Sequence, residues 1–260
     1  MKYFIEHNNK KYSNIDLIKT FKKLGIKKGD ILCIHSELIK FGTPLLSKNE
    51  FLQTILDCFF EVIGKEGTLI MPTFTYSFCK NEIYDKLNSK STVGILTEYF
   101  RTWGGVKRTN DPIFSFAIKG AKEELFLKNT ASCFGKNCVY DILVKEDAKL
   151  ILFGSKIAGY TFSHFIEEKA KVPYRYFKNF KGKIVDENGR IYYKNIQYYV
   201  RKLDKNSDLD VDKQIAILKN DNNFNILNFS NAHIISINTK NYFKTTLKAL
   251  ANNPYSLLKE

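Results

Sequence analysis

The chain reads as an α/β protein: a central mixed sheet flanked by helices, with an antiparallel hairpin inserted in the C-terminal third. Three observations predict this. Short apolar runs alternate with capped amphipathic segments through the first 155 residues, the pattern of strands and helices stacked in layers. An Asn188-Gly189 pair between two runs rich in β-branched and aromatic residues marks a hairpin, because Asn-Gly supplies the positive φ angles of a tight turn. Hydrophobic residues make up 44% of 260, enough for one sizeable core. A single domain over 1–260 is expected, with a β-rich subdomain at about 180–204.

The elements follow in order. Ser13 and Asp16 form a capping box, Leu17, Ile18, Phe21 and Leu24 give an apolar stripe, and Gly25 stops the helix. Ile31-Leu32-Cys33-Ile34-His35 is a buried strand. Ser47 and Glu50 open a second helix with Phe51, Leu52, Ile55, Leu56, Phe59 and Val62 on one face, closed by Gly64. Thr68 to Met71 is a strand ended by Pro72, and Val93 to Trp103 a helix stopped by Gly104-Gly105. Ile113 to Ile118 reads as a strand, Ala121 to Leu127 as a short helix, and Lys149 to Phe153 as a strand. The pattern changes after Pro173. Lys183 to Asp186 and Arg190 to Tyr193 are the hairpin arms, and a run at Gln197 to Val200 extends them. Asp204 to Asp212 is a polar exposed loop. Phe224 to Leu227 and His233 to Ile237 are strands, and Thr239 to Ala251 is the last helix.

Composition narrows the function. No apolar run approaches the roughly 20 residues that span a bilayer, and Met1 to His7 lacks a signal-peptide core, so a cytoplasmic protein is expected. Cys33, Cys58, Cys79, Cys133 and Cys138 are odd in number and irregularly spaced, which argues against a disulfide framework or a metal site. The net charge is +14, yet only five of 41 basic residues are arginine. Nucleic-acid modules usually cluster arginine or carry a recognisable motif, and neither is present. Such a charge still attracts anions and repels polycations.

The stretch Thr161-Phe162-Ser163-His164-Phe165-Ile166-Glu167-Glu168 carries the chemistry. On a helix, carboxylates three and four residues after His164 share its face. Such a carboxylate orients an imidazole and steadies its charged form, as a general base requires. The residues alone leave a packed core histidine as the competing reading. The segment follows a strand, where α/β folds tend to place their chemistry.

Five ordered segments resemble the aminoglycoside 3-N-acetyltransferase, or antibiotic acetyltransferase, family over about residues 14 to 250. His35-Ser36-Glu37-Leu38-Ile39-Lys40-Phe41-Gly42 is similar to "HSSLSSFG", and Gly67 to Thr73 is similar to "GTLMMPT". Phe100 to Trp103 with Arg108 to Ser115 is similar to "FRTWPGALRSDHPARS", Phe134 to Cys138 to "FGEGS", and the His164 stretch to "TSLHLAE". The resemblance implies an antibiotic acetyltransferase-like fold and an acetyl-coenzyme A dependent N-acetyltransferase acting on a primary amine. It makes His164 the general base, selects Glu167 over Glu168 as its partner, and points to Thr73 as a contact for the pantetheine arm or the oxyanion. His35, Ser36, Arg108 and Ser115 become cofactor-binding candidates: Ser36 through loop N–H groups, Arg108 through its guanidinium. His35 reads better as a packed histidine shaping its loop; Thr73 is also readable as plain turn chemistry, and Arg108 as a surface charge. Two positions depart from the family: Asp111 stands where many members have His, and Cys138 where many have Ser. Cys138 raises an acyl-cysteine intermediate, although nothing near it in sequence would lower its pKa.

The expected donor is acetyl-coenzyme A, with no metal; an acidic acyl-carrier protein or a longer acyl group is the alternative. Because aminoglycosides are polycations and this chain is strongly basic, the expected acceptor is a nucleotide-linked amino sugar destined for a surface glycan. Aminoglycoside acetylation conferring antibiotic resistance is the runner-up, and a nucleic-acid-binding protein the reading from another class. No nucleic-acid or membrane partner is expected, and the chain is a monomer or a homodimer.

Overall fold

Ser13 and Ser47 start α1 and α2 by the same device. Each hydroxyl accepts from the backbone N–H three residues on, and the acid there, Asp16 or Glu50, accepts from the cap's own N–H. The computed structural model describes residues 1–260. In chain order its elements are β1 (Tyr3–His7), β2 (Lys10–Ser13), α1 (Asn14–Lys23), β3 (Ile31–Ser36), β4 (Thr43–Pro44), α2 (Lys48–Ile63), β5 (Thr68–Pro72), β6 (Tyr84–Asp85), α3 (Ile95–Arg101) and β7 (Lys107–Arg108). Then follow β8 (Phe116–Gly120), α4 (Val139–Lys145), β9 (Lys149–Phe153), α5 (Phe162–Ala170), β10 (Arg175–Val185), β11 (Ile191–Arg201), α6 (Val211–Asn220), β12 (Asn225–Phe229), β13 (Ala232–Asn238) and α7 (Thr239–Asn252). No helix is long and apolar enough to cross a membrane.

Seven strands form the central sheet in the order β12-β13-β9-β3-β5-β8-β7. The inner three, β9, β3 and β5, are parallel, with Cys33 registered against Leu150 on one side and Ile70 on the other. The outer pairings are antiparallel, so the sheet is mixed. Alternate residues of the inner strands go to opposite faces. Leu32, Ile34, Leu69, Met71, Ile151 and Phe153 pack with Phe21 of α1, Ile55 and Phe59 of α2 and Phe100 of α3. Ile31, Cys33, Ile70, Leu150 and Leu152 pack with Leu143 of α4, Phe162 and Ile166 of α5 and Tyr242 of α7.

The hairpin is longer than its sequence signal. β10 and β11 pair from Arg175↔Arg201 to Val185↔Ile191, and β6 adds a short parallel edge. The turn spans five residues, with Asp186 Oδ1 accepting from the N–H groups of Asn188 and Arg190 and Gly189 at φ +77°. Because its face is half exposed, the hairpin reads as short polar-interrupted runs; its inner residues Ile184, Ile196 and Tyr199 join the core.

Several boundaries differ from expectation. The strand expected from Ile113 begins only at Phe116, because Asp111 Oδ1 accepts from the N–H groups of Ile113 and Phe114 and bends the chain there. The helix expected from Ala121 is a single 3-10 turn, Glu123–Phe126. The helix expected from Val93 starts after Gly94, whose φ is +120°. The polar loop ends at Asp210, which caps α6 by accepting from the N–H groups of Asp212 and Lys213. α4 is an additional helix whose cap is Cys138, its Sγ accepting from the Asp141 N–H.

Candidate active site

The carboxyl ends of β3, β5 and β9 meet at a narrow cleft of about 230 Å³, lined by His35, Ser36, Pro72, Phe74, Ser155 and Thr161 among others. Ligands of open α/β sheets bind at such strand ends. Two glycines let the loop after β9 approach. Gly154 has φ +110°, and a Cβ there would lie 1.9 Å from the Glu37 carbonyl oxygen; Gly159 has φ +97°, and its Cβ would meet the His35 side chain. His35 is positioned by its neighbours, with Nε2 3.5 Å from the Tyr140 hydroxyl. Burial lowers its pKa to about 4, so the ring is neutral.

A second cavity, about 730 Å³, lies beside the first turn of α5, between that helix and the hairpin. Tyr176, Lys178 and Phe180 of β10 with Tyr198 and Val200 of β11 supply one wall at the two-residue spacing of a strand face. His164 lines it with a side chain 24% exposed, and the Phe134 ring packs against the imidazole at 5.9 Å between centroids. Thr161 lines the narrow cleft and His164 the larger cavity. These two lining residues are three positions apart on the chain, roughly 4.5 Å of helix rise.

Helical spacing brings His164 Nδ1 to 2.8 Å from Glu167 Oε2. Glu168 turns away and accepts from the Ser132 hydroxyl at 2.9 and 3.1 Å. Glu167 is fully buried, and it keeps its charge because His164 and Arg175 hold its pKa below the ordinary carboxylate value against burial. Burial lowers the His164 pKa, Glu167 opposes this, and Arg175 adds to the lowering. The dyad is therefore a neutral imidazole beside an ionised carboxylate.

Arg108, Thr73 and Ser115 converge, but on one another. Arg108 Nε donates to Thr73 Oγ1 (3.1 Å) and Ser115 Oγ (3.2 Å), Nη1 to the carbonyls of Lys86 (3.1 Å) and Ser89 (2.6 Å), and Nη2 to the Thr73 carbonyl (2.7 Å). Its guanidinium also lies 5.1 Å from the centre of the Tyr84 ring. All three side chains are buried. Against the expectation of phosphate contact by Arg108, four of its five N–H groups are spent inside the protein. Thr73 and Ser115 line neither of these two cavities, and their hydroxyls bond to one another and to Arg108 beside the strand ends. Asp111 is a buried turn-builder. Burial pushes the Cys138 thiol pKa up, which leaves no thiolate for an acyl-cysteine route.

Sequence reasoning missed the residues that the hairpin brings in: Arg175, Lys178, Tyr198, Arg201 and Lys202. Arg175 is buried, with Nε 2.9 Å from Glu167 Oε1. Its only signal was rarity, one of five arginines among 41 basic residues.

Comparison with known proteins places this arrangement. Residues 33–251 match the family described as aminoglycoside 3-N-acetyltransferase. The SPbeta prophage-derived aminoglycoside N(3')-acetyltransferase-like protein YokD of Bacillus subtilis is 24% identical over 224 residues, 76% of this chain and 80% of its own. Among solved structures, a mutant of aminoglycoside acetyltransferase AAC(3)-IVa in complex with a gentamicin superposes with a TM-score of 0.80 at 20% identity, covering 100% of this chain and 93% of that one. AAC-IIIb, solved as a binary complex with CoASH, superposes with a TM-score of 0.78 at 18% identity, covering 93% and 97%. The chain belongs to the aminoglycoside 3-N-acetyltransferase family of acetyl-coenzyme A dependent N-acetyltransferases.

Proposed function

We propose that the protein transfers the acetyl group of acetyl-coenzyme A to a primary amine of an aminoglycoside-type amino sugar, with His164 as general base. The observation that carries this reading is the His164–Glu167 pair set one helical turn from a cleft at the sheet's carboxyl ends. That cleft suits the pantetheine arm: it is narrow, contains Phe74, Tyr76 and Val93, and offers the Ser36, Ser155 and Thr161 hydroxyls to the arm's amides. It has no Lys or Arg in its lining and its His35 is neutral, so phosphates belong beyond its mouth. An ammonium has no free lone pair and cannot attack a thioester. His164 Nε2, left free when Nδ1–H donates to Glu167, takes the proton as the amine attacks. Glu167 then stabilises the imidazolium, and the thiolate leaves. Both substrates are held together, so proximity supplies much of the acceleration.

The names of the relatives put aminoglycosides ahead of the nucleotide-linked amino sugar expected from charge. One observation favours the latter as a second reading. The larger cavity carries Arg175, Lys178, Arg201 and Lys202 against Asp204, a lining that opposes a polycation and suits an acceptor bearing phosphate or carboxylate. The test is thiol release from acetyl-coenzyme A with gentamicin and with nucleotide-linked amino sugars. Turnover of gentamicin alone supports the first reading, and turnover of the anionic sugars alone supports the second. Absence of turnover with every amine together with absence of coenzyme A binding would overturn both. Lys178→Glu locates the cations: a raised KM for the acceptor only places them on the acceptor, and a raised KM for acetyl-coenzyme A only places them on its phosphates.

A further inference from the structure

Three buried polar atoms that lack a well-aligned hydrogen-bond partner occur together: Glu167 Oε1, Arg175 Nε and Tyr174 Oη. Arg175 Nε is 2.9 Å from Glu167 Oε1, and the Tyr174 phenol sits against the same carboxylate. The guanidinium reaches further: Nη1 donates to the Tyr199 carbonyl at 3.2 Å, and Nη2 lies 3.0 Å from His164 Nδ1. One side chain, anchored to the hairpin, thus touches both members of the dyad.

The contacts at Nδ1 exclude one another. A guanidinium only donates and a carboxylate only accepts. A bare Nδ1 accepts from Arg175 and leaves Nε2 protonated, useless as a base. A protonated Nδ1 donates to Glu167 Oε2, 2.8 Å away, and leaves the Nε2 lone pair free. An ionised carboxylate makes the second arrangement the stronger, but only while Glu167 stays charged in a fully buried position.

We propose that Arg175 is a positioning residue of the His164 base: it keeps Glu167 ionised and aligned, so that the ring holds the Nδ1–H tautomer, and its charge beside the ring keeps the imidazole neutral until the acceptor's proton arrives. The surroundings agree. Glu167 is on the same helix; Arg175 and Lys178 come from β10, Tyr198 and Arg201 from β11, and Lys202 and Asp204 from the segment after it. The 132–138 loop contributes the uncharged Phe134 ring. Cations outnumber carboxylates around the imidazole, and burial acts in the same direction.

The inference rests on His164 being the base, so its test includes a measurement that needs no turnover. Side-chain ¹⁵N spectra of the full-length protein report the tautomer and midpoint of His164, with His164→Gln assigning the signals. The expected result is an Nδ1–H tautomer titrating below the usual imidazole range. In Arg175→Gln the midpoint rises by about one pH unit, and in Arg175→Lys it returns toward the wild-type value. The acid limb of kcat/KM moves by the same amount. An unchanged midpoint and tautomer in Arg175→Gln, with kcat lowered equally at every pH, would overturn the proposal and leave Arg175 a merely structural residue. If Arg175→Gln does not fold, Glu167→Gln decides: the ring is expected to switch to Nε2–H as Arg175 takes Nδ1, and retention of Nδ1–H overturns the proposal. Absence of acetyl transfer with an intact titration would instead refute only the enzymatic reading.

Discussion

Arg108→Met separates support from ligand binding most sharply, because methionine keeps much of the side-chain bulk and removes every donor. Without the guanidinium, Thr73 Oγ1 and Ser115 Oγ, 3.2 Å apart, still bond one another, and the Thr73 carbonyl keeps its bond from Ser115 Oγ. The carbonyls of Lys86 and Ser89 lose the guanidinium donors that serve them. Each stranded buried acceptor costs about 1–3 kcal/mol, and the lost contact with the Tyr84 ring adds about 0.5–2 kcal/mol. Relief of guanidinium desolvation offsets part of this, leaving a net loss of about 3–5 kcal/mol. For 260 residues the unfolding entropy near the midpoint is about 0.55 kcal/mol/K, so Tm should fall by about 5–10 °C. Calorimetry measures the shift, and initial rates well below the transition measure the KM for acetyl-coenzyme A, expected to change less than about twofold. An unaltered Tm with a KM raised tenfold or more would refute the reasoning and restore Arg108 as a phosphate ligand.

Three further outcomes are expected. His164→Ala should lower kcat by about 10²–10⁴ while coenzyme A binding, followed by calorimetric titration, stays within a few fold; an unchanged kcat removes the base assignment. His35 has a folded pKa of about 4 against a usual value of 6.5, so the folded state binds fewer protons and stability rises with pH. Its contribution is complete above about pH 6.5 and is lost as pH falls through 4, at most about 3 kcal/mol; denaturant unfolding should show this slope in the wild type and not in His35→Gln. Gly154→Ala must accommodate a Cβ 1.9 Å from the Glu37 carbonyl at φ +110°. We expect a loss of about 2–4 kcal/mol and a raised KM for acetyl-coenzyme A, and a wild-type Tm and KM would show that the cleft does not depend on this close approach.

How much was legible in the sequence followed how local each feature was. Ser13 with Asp16, Ser47 with Glu50 and His164 with Glu167 all act over three residues of helix, a distance that a sequence displays directly. Asp111 acts over two and three residues as well, but its turn was hidden inside an apolar run that reads as strand. α4 was missed because a cysteine caps it, outside the usual set of Ser, Thr, Asp and Asn. Arg108, Thr73 and Ser115 were singled out by resemblance, yet burial decides what they do, and burial arises only when β5 and the start of β8 are folded side by side. Arg175 depends on a contact between a strand and the preceding helix that no periodicity records.

The hairpin sits apart from the seven-stranded sheet; its backbone pairs with the two residues of β6 on one side and, through Gln197, with Ser132 on the other. In the proposed mechanism its outward side chains form the acceptor wall, whereas the thioester is received in the cleft made from the ends of β3, β5 and β9. The two halves of the reaction are thereby inherited on separate pieces of chain. On that reading, substitutions at Tyr176, Lys178, Phe180 or Tyr198 are expected to alter the choice of amine without touching the ends of β3, β5 and β9. A lineage built this way can change acceptors quickly while its donor stays fixed.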